Sequence, residues 1–150
     1  MSQSDTLHHW NDTSYRTILS TEETGGAISI VYGEAGPWNG PAAHYHANED
    51  EIFIVLDGEV EFDMDGERFV RGPLGTAFLP RGRVHSFRTG AEGARCLTLL
   101  TPGGFENFFA EMAKGQFRLP QDMAQVASIA ARYGSHLVGP GIAHGRQGDA

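Results

Sequence analysis

His44-Tyr45-His46-Ala47-Asn48-Glu49-Asp50-Glu51-Ile52-Phe53-Ile54-Val55-Leu56-Asp57-Gly58 is the stretch that decides how this chain folds. Residues 42–46 and 51–56 have strand character. Successive side chains on a strand alternate faces, so His44 and His46 point one way and Tyr45 the other. A single inward histidine is most often a hydrogen-bonded core residue. Two polar rings on one inward face need partners together, and they offer two nitrogens to one metal ion. A carboxylate is then expected close behind. Glu49 and Asp50 read as a solvated turn, whereas Glu51 opens the apolar run to Leu56 where the chain re-enters the core. Strand parity alone would set Glu51 opposite His46, so residues 47–50 are expected to form a turn or bulge that resets the face.

On either side of this stretch the texture is that of short strands separated by turns. Residues 27–32 are β-branched and apolar, and residues 33–41 form a loop rich in Gly and Pro around Trp38. Asp57-Gly58 is a two-residue hairpin signal. Beyond it Val60, Phe62 and Met64 alternate with Glu59, Glu61 and Asp63, and Asp65-Gly66 is a second hairpin signal. Residues 67–70, 76–79, 84–88 and 95–100 complete the series, with Pro80-Arg81-Gly82 as a tight turn before His85. Strands at this spacing predict an antiparallel sandwich or barrel, an all-β domain.

The pattern changes after Pro102-Gly103-Gly104. Phe105, Phe108, Phe109 and Met112 recur at helical spacing and the stripe stops at Gly115. Met123, Val126, Ala127, Ala130 and Tyr133 form a second stripe that begins after Pro120 and stops at Gly134. The expected organisation is an N-terminal arm over 1–26 with one strand at 15–19, a barrel over 27–101, a helical extension over 102–138 packed on it, and a flexible tail over 139–150. His8 and His9 sit in the polar arm, His144 sits in the tail, and these and His136 are set aside as ligands.

The 150-residue chain suits one domain, with 40% hydrophobic residues and a formal net charge of −8. That charge and a single lysine, Lys114, argue against nucleic acid, whose binding needs phosphates neutralised by Lys and Arg. No apolar run approaches the roughly 20 residues of a membrane span. The N-terminal residues do not read as a secretory signal, and one cysteine, Cys96, excludes an internal disulfide. A cytoplasmic protein is expected.

Taken together, these residues resemble a known family. His44-x-His46, four residues, Glu51, six residues and Gly58 are similar to the first motif of the cupin superfamily, and Pro80-x-Gly82-x-x-His85 to its second. Residues 101–140 resemble the C-terminal extension of small bacterial cupins grouped with quercetin 2,3-dioxygenases. The motifs depart from the family pattern at Trp38, Gly75 and Thr89, none of them at a ligand position. The resemblance implies a double-stranded β-helix (jelly-roll) barrel with two C-terminal α-helices and a metal inside, held by His44, His46, Glu51 and His85. It also implies a general-base role for Glu51.

Three imidazoles and a carboxylate suit one divalent transition metal ion (Fe, Mn, Ni, Co, Cu or Zn) with open positions left for substrate. The expected function is an oxygenase acting on a small enol or phenol-type substrate chelated to that ion. The alternatives are a non-redox isomerase or cyclase, and a ligand-binding or sensing module without turnover. Phe53, Val55, Phe62, Met64, Phe78 and Phe87 are the candidate apolar pocket walls, and Arg81 and Arg83 are either anion-steering residues or plain exposed turn residues. A homodimer is expected on general grounds, through the outer strand face at 52–56 or the C-terminal helices.

Overall fold

In a computed structural model, which describes residues 6–145, the strands are β1 (His8–Trp10), β2 (Thr13–Leu19), β3 (Ser29–Ala35), β4 (Ala43–His46), β5 (Asp50–Met64), β6 (Glu67–Arg71), β7 (Thr76–Leu79), β8 (His85–Thr101) and β9 (Ser135–Gly139). The helices are α1 (Glu106–Gly115), α2 (Met123–Arg132) and the short α3 (Ile142–Gly145). All pairings are antiparallel, and the strands curl into a jelly-roll barrel. β8 is the hub, pairing with β3, β4 and β5, while β5 also carries β6 and β7.

The two Asp-Gly signals have different outcomes. Asp65 and Gly66 both adopt positive φ, 51° and 90°, and Met64 pairs with Glu67, so this dipeptide is the expected tight hairpin. Asp57-Gly58 is not a turn. β5 runs straight through it, and the register with β8 shifts between Val55 and Asp57 and again between Gly58 and Val60. The extra residue reverses the parity of the strand, so that Glu51, Phe53 and Val55 are buried before it and Val60 and Phe62 after it. Gly58 has φ 77°, and a Cβ there would lie 2.2 Å from the Gly93 carbonyl oxygen, so the crossing needs glycine. The separate strands expected over 84–88 and 95–100 likewise join into β8, because residues 90–93 loop out opposite Glu59 without ending the pairing.

Two apolar clusters result. Inside the barrel Phe53, Val55, Val60, Phe62, Ala77, Leu79 and Ala94 are buried together. A second cluster joins Phe105, Phe108 and Met112 of the α1 region and Val126 and Ala130 of α2 to Val31 and Leu100, which lie on the same sheet face as Phe53 and Glu51. The helical stripes are therefore core, as their spacing predicts.

The two ends of the chain are more regular than the sequence suggests. The region expected to be an arm supplies β1 and β2, and Trp10 Nε1 donates to the Phe117 carbonyl at 2.8 Å. Residues 135–139, expected within the helical extension and at the start of the tail, form β9 on the free edge of β4, covering backbone groups that would otherwise stay unpaired. Of the expected tail, residues 142–145 form α3, with Ala143 buried, and residues 146–150 lie outside the described residues.

Candidate metal centre

β4 carries His44 and His46 on its inward face, both buried, while Tyr45 points away and packs on His136. β8 brings His85 directly opposite His44 in the register. The chain leaves β4 through a turn held at both sides: the Ala47 N–H donates to the Gly134 carbonyl at 2.8 Å, and the Gly82 N–H to the His46 carbonyl at 2.8 Å. That turn resets the face as parity requires, and Glu51 enters the same interior at the start of β5.

The three imidazoles can hold a metal ion: one ring nitrogen from each lies within 4.8 Å of the others. Each Nδ1 is held by an oxygen. His44 Nδ1 is 2.8 Å from the Ala42 carbonyl, His46 Nδ1 is 2.6 Å from Glu49 Oε1, and His85 Nδ1 is 3.3 Å from the Arg83 carbonyl. A ring that donates from Nδ1 keeps a lone pair on Nε2, the usual way a protein orients a histidine ligand. His85 Nε2 is buried without a hydrogen-bond partner among the described residues. Such an orphan is costly unless something occupies it, and a metal ion fits that position. Glu51 Oε2 is 3.0 Å from His46 Nε2, and its Oε1 is 3.8 Å from His85 Nε2. The donor set is that of a borderline divalent transition ion, not of Ca or Mg, which prefer oxygen.

The electrostatics agree with that donor set. Burial, reinforced by His85 and His46, pushes the His44 pKa down to about 3, so this ring is neutral. Burial also lowers the pKa of His85. At His46 burial works against the charged form, but Glu51 and Glu49 outweigh it and raise the pKa to about 10. Burial would raise Glu51, yet His46 above all holds it at about 2, an anion at neutral pH. The carboxylate is thus ready for a cation, and a bound ion would displace the His46 proton.

Glu49 corrects the solvated-turn expectation. It is 3% exposed and fixes His46. The available signal was its position three residues after His46 across a tight turn. Asp50 does face outward, where it pairs with Arg81 at 3.2 Å, and Arg83 pairs with Asp65 at 2.6 Å. Thr89 ties the preceding loop down, accepting from the Asn39 N–H at 2.9 Å and donating to the Gly36 carbonyl at 2.6 Å.

A cavity of about 160 Å³ opens beside His44, His46 and Glu51. Of the expected wall residues, Phe53 and Phe87 border it, whereas Val55 and Phe62 are buried in the barrel cluster and Met64 packs against that cluster. Phe78 is a correction. It is 55% exposed, because Ala77 and Leu79 take the inward positions of β7. The walls that sequence reasoning missed come from the ends of the chain: Trp10 and Tyr15 from β1 and β2, and Phe105, Phe108 and Phe109 from the α1 region.

The Cupin domain family matches residues 30–100, the segment that contains both histidine motifs. Residues 30–100 of the chain are a cupin domain. This cupin superposes on KdgF from Halomonas sp. with a TM-score of 0.62 at 16% identity, covering 68% of this chain and 90% of that one, which shows the fold alone. It is 29% identical over 98 residues to quercetin 2,3-dioxygenase of Bacillus subtilis, a match covering 65% of this chain and 29% of that protein. It is 38% identical over 91 residues to polyketide synthase CurC of Streptomyces cyaneus, covering 58% of each. The cupin thus spans less than two thirds of the length of these curated relatives. No helix among the described residues is long and apolar enough to cross a membrane.

Proposed function

We propose that this cupin is a metal-dependent oxygenase that acts on a small enol or phenol, with His44, His46, His85 and Glu51 as the ligands of one divalent transition ion. The observation that carries the proposal is the orphaned, buried Nε2 of His85 facing Glu51 and the other two rings beside an apolar cavity. When bound, the ion supplies a Lewis-acidic site for a substrate oxygen and a redox partner for O₂. The chain's own residues do the rest. Ala42, Glu49 and Arg83 fix the tautomers of the three rings. Glu51, ionised, is placed to take the proton of the substrate hydroxyl. Phe53, Phe87 and the helix aromatics exclude water from the ring of the substrate.

The similarity to a quercetin 2,3-dioxygenase supports the oxygenase reading. The similarity to a polyketide synthase component favours the second one, a non-redox cyclase or isomerase that uses the ion as a Lewis acid alone. Oxygen uptake measured with an electrode, with metal-loaded protein and a panel of phenols and cyclic enols, separates them. The proposal expects uptake that matches substrate loss. Product formed at the same rate without O₂ contradicts it and favours the cyclase.

A homodimer is part of this reading. Phe78, Ile52, Leu99 and Ile30 form a continuous outward row across β7, β5, β8 and β3, a face suited to a second copy. Sedimentation should give twice the chain mass, falling to one chain mass in Ile52→Lys; a monomeric wild type contradicts the dimer. The reducing interior suggested by the lone Cys96 fits a cytoplasmic setting.

A further inference from the structure

The cavity also limits what the substrate is. Its two ends differ in charge. At one end stand the carboxylates Glu51, which borders the cavity, and Glu49 behind His46. Elsewhere its described lining contains no Lys or Arg. Arg81 and Arg83, the cations nearest the motif, are held outside by Asp50 and Asp65. Away from the histidine cluster, a substrate carboxylate or phosphate would therefore lie buried without a cationic side chain. Burying an unpaired charge in such surroundings is prohibitively costly.

The walls are aromatic. Trp10 turns its ring toward Phe108 while its N–H is spent on the Phe117 carbonyl, and Tyr15 stacks on Phe109 at 4.3 Å. Size sets the third limit. About 160 Å³ is close to the engineered apolar cavity of roughly 150 Å³ that takes up one benzene molecule, and a three-ring flavonol is far larger.

We infer that this site takes an uncharged, single-ring phenol or cyclic enol, with its ring among Trp10, Phe108 and Phe109, its oxygen toward the histidine cluster, and no carboxylate elsewhere. The inference rests on the proposed metal site only for what the oxygen faces.

Phenol, 4-hydroxybenzoate and a flavonol are the probes. Calorimetry on the full chain, as purified and after chelator treatment, gives their affinities. A Trp38→Phe background leaves Trp10 as the sole indole, so its fluorescence reports whether the cavity is filled. In the unaltered chain, the rate at which a small thiol reagent modifies Cys96, which also borders the cavity, gives a second readout without mutation. The expected result is saturable phenol binding that changes Trp10 fluorescence and slows Cys96 modification, with 4-hydroxybenzoate at least about 100-fold weaker and the flavonol weaker than phenol. No phenol binding, 4-hydroxybenzoate binding as tightly as phenol, or a flavonol binding more tightly overturns the inference. Phenol binding with no oxygen uptake leaves it standing and contradicts the oxygenase reading instead.

Discussion

Two clusters share the interior of this barrel, and they obey different rules. One residue of β5, Ile52, separates Glu51 from Phe53, and one residue of β8, Ser86, separates His85 from Phe87. On one side of that step His44, His46, Glu49, Glu51 and His85 are polar and buried. On the other, Phe53, Phe62 and Phe87 meet edge-on or tilted at centroid distances of 5.0 to 6.1 Å. The apolar cluster asks only for volume and shape, since no atom in it needs a partner. The polar cluster asks that every lone pair and proton be matched. It satisfies three Nδ1 atoms with oxygens and leaves one Nε2 for something else. Stability belongs to the first cluster and chemistry to the second.

That division can be broken deliberately. Phe62→Ala opens a void at a fully buried position and should destabilise the fold by about 3–5 kcal/mol in urea titrations, with metal content per folded chain unchanged. A loss of metal from folded Phe62→Ala would show that the clusters are not separable. Glu49→Gln should do the reverse. It keeps the shape beside His46 but removes the charge, and competition with a chromogenic chelator should show metal affinity reduced roughly 10–100-fold. The urea midpoint should move little; an unchanged affinity would reduce Glu49 to a structural acid.

The smallest effect lies outside both clusters. Burial opposes the Glu106 charge, but the Thr21 hydroxyl and the Thr21 and Gly104 N–H groups outweigh it and hold its pKa below the ordinary value. A depressed carboxylate pKa contributes stability above the unfolded-state value, and that contribution is lost as pH falls through the folded-state value. Thermal melts from pH 6 down to pH 3 should therefore show about 1 kcal/mol more acid sensitivity in the wild type than in Glu106→Gln. Metal affinity measured at pH 7 should be the same in both. Equal acid sensitivity would mean that the contact is spent on orientation alone.

Which parts of this were legible in the sequence follows the same division. Strand alternation put His44 and His46 on one face, because period is a local property, whereas Glu51 needed a turn that resets the face and His85 entered through the resemblance to the second cupin motif. Asp57-Gly58 shows where local reading stops. Its conformational signal equals that of Asp65-Gly66, but the long pairing of β5 with β8 turns one into a bulge and leaves the other a hairpin. β9 was hidden for a related reason. Residues 135–139 form a strand because the edge of β4 is open, a fact that lies some ninety residues away in the chain. Glu49 was missed because acidic runs are usually solvated, and only the turn between β4 and β5 folds this one inward. The face of Phe78 required the parity of β7, which Ala77 and Leu79 fix.

The most direct test of the central claim is elemental analysis of protein purified without added metal and again after incubation with Fe, Mn, Ni, Co, Cu or Zn, alongside His44→Ala and His85→Ala. The account predicts close to one divalent transition ion per wild-type chain and almost none in either variant, with circular dichroism unchanged. A wild type that takes up no ion under any of these conditions, or folded variants that retain it, would contradict the metal centre itself.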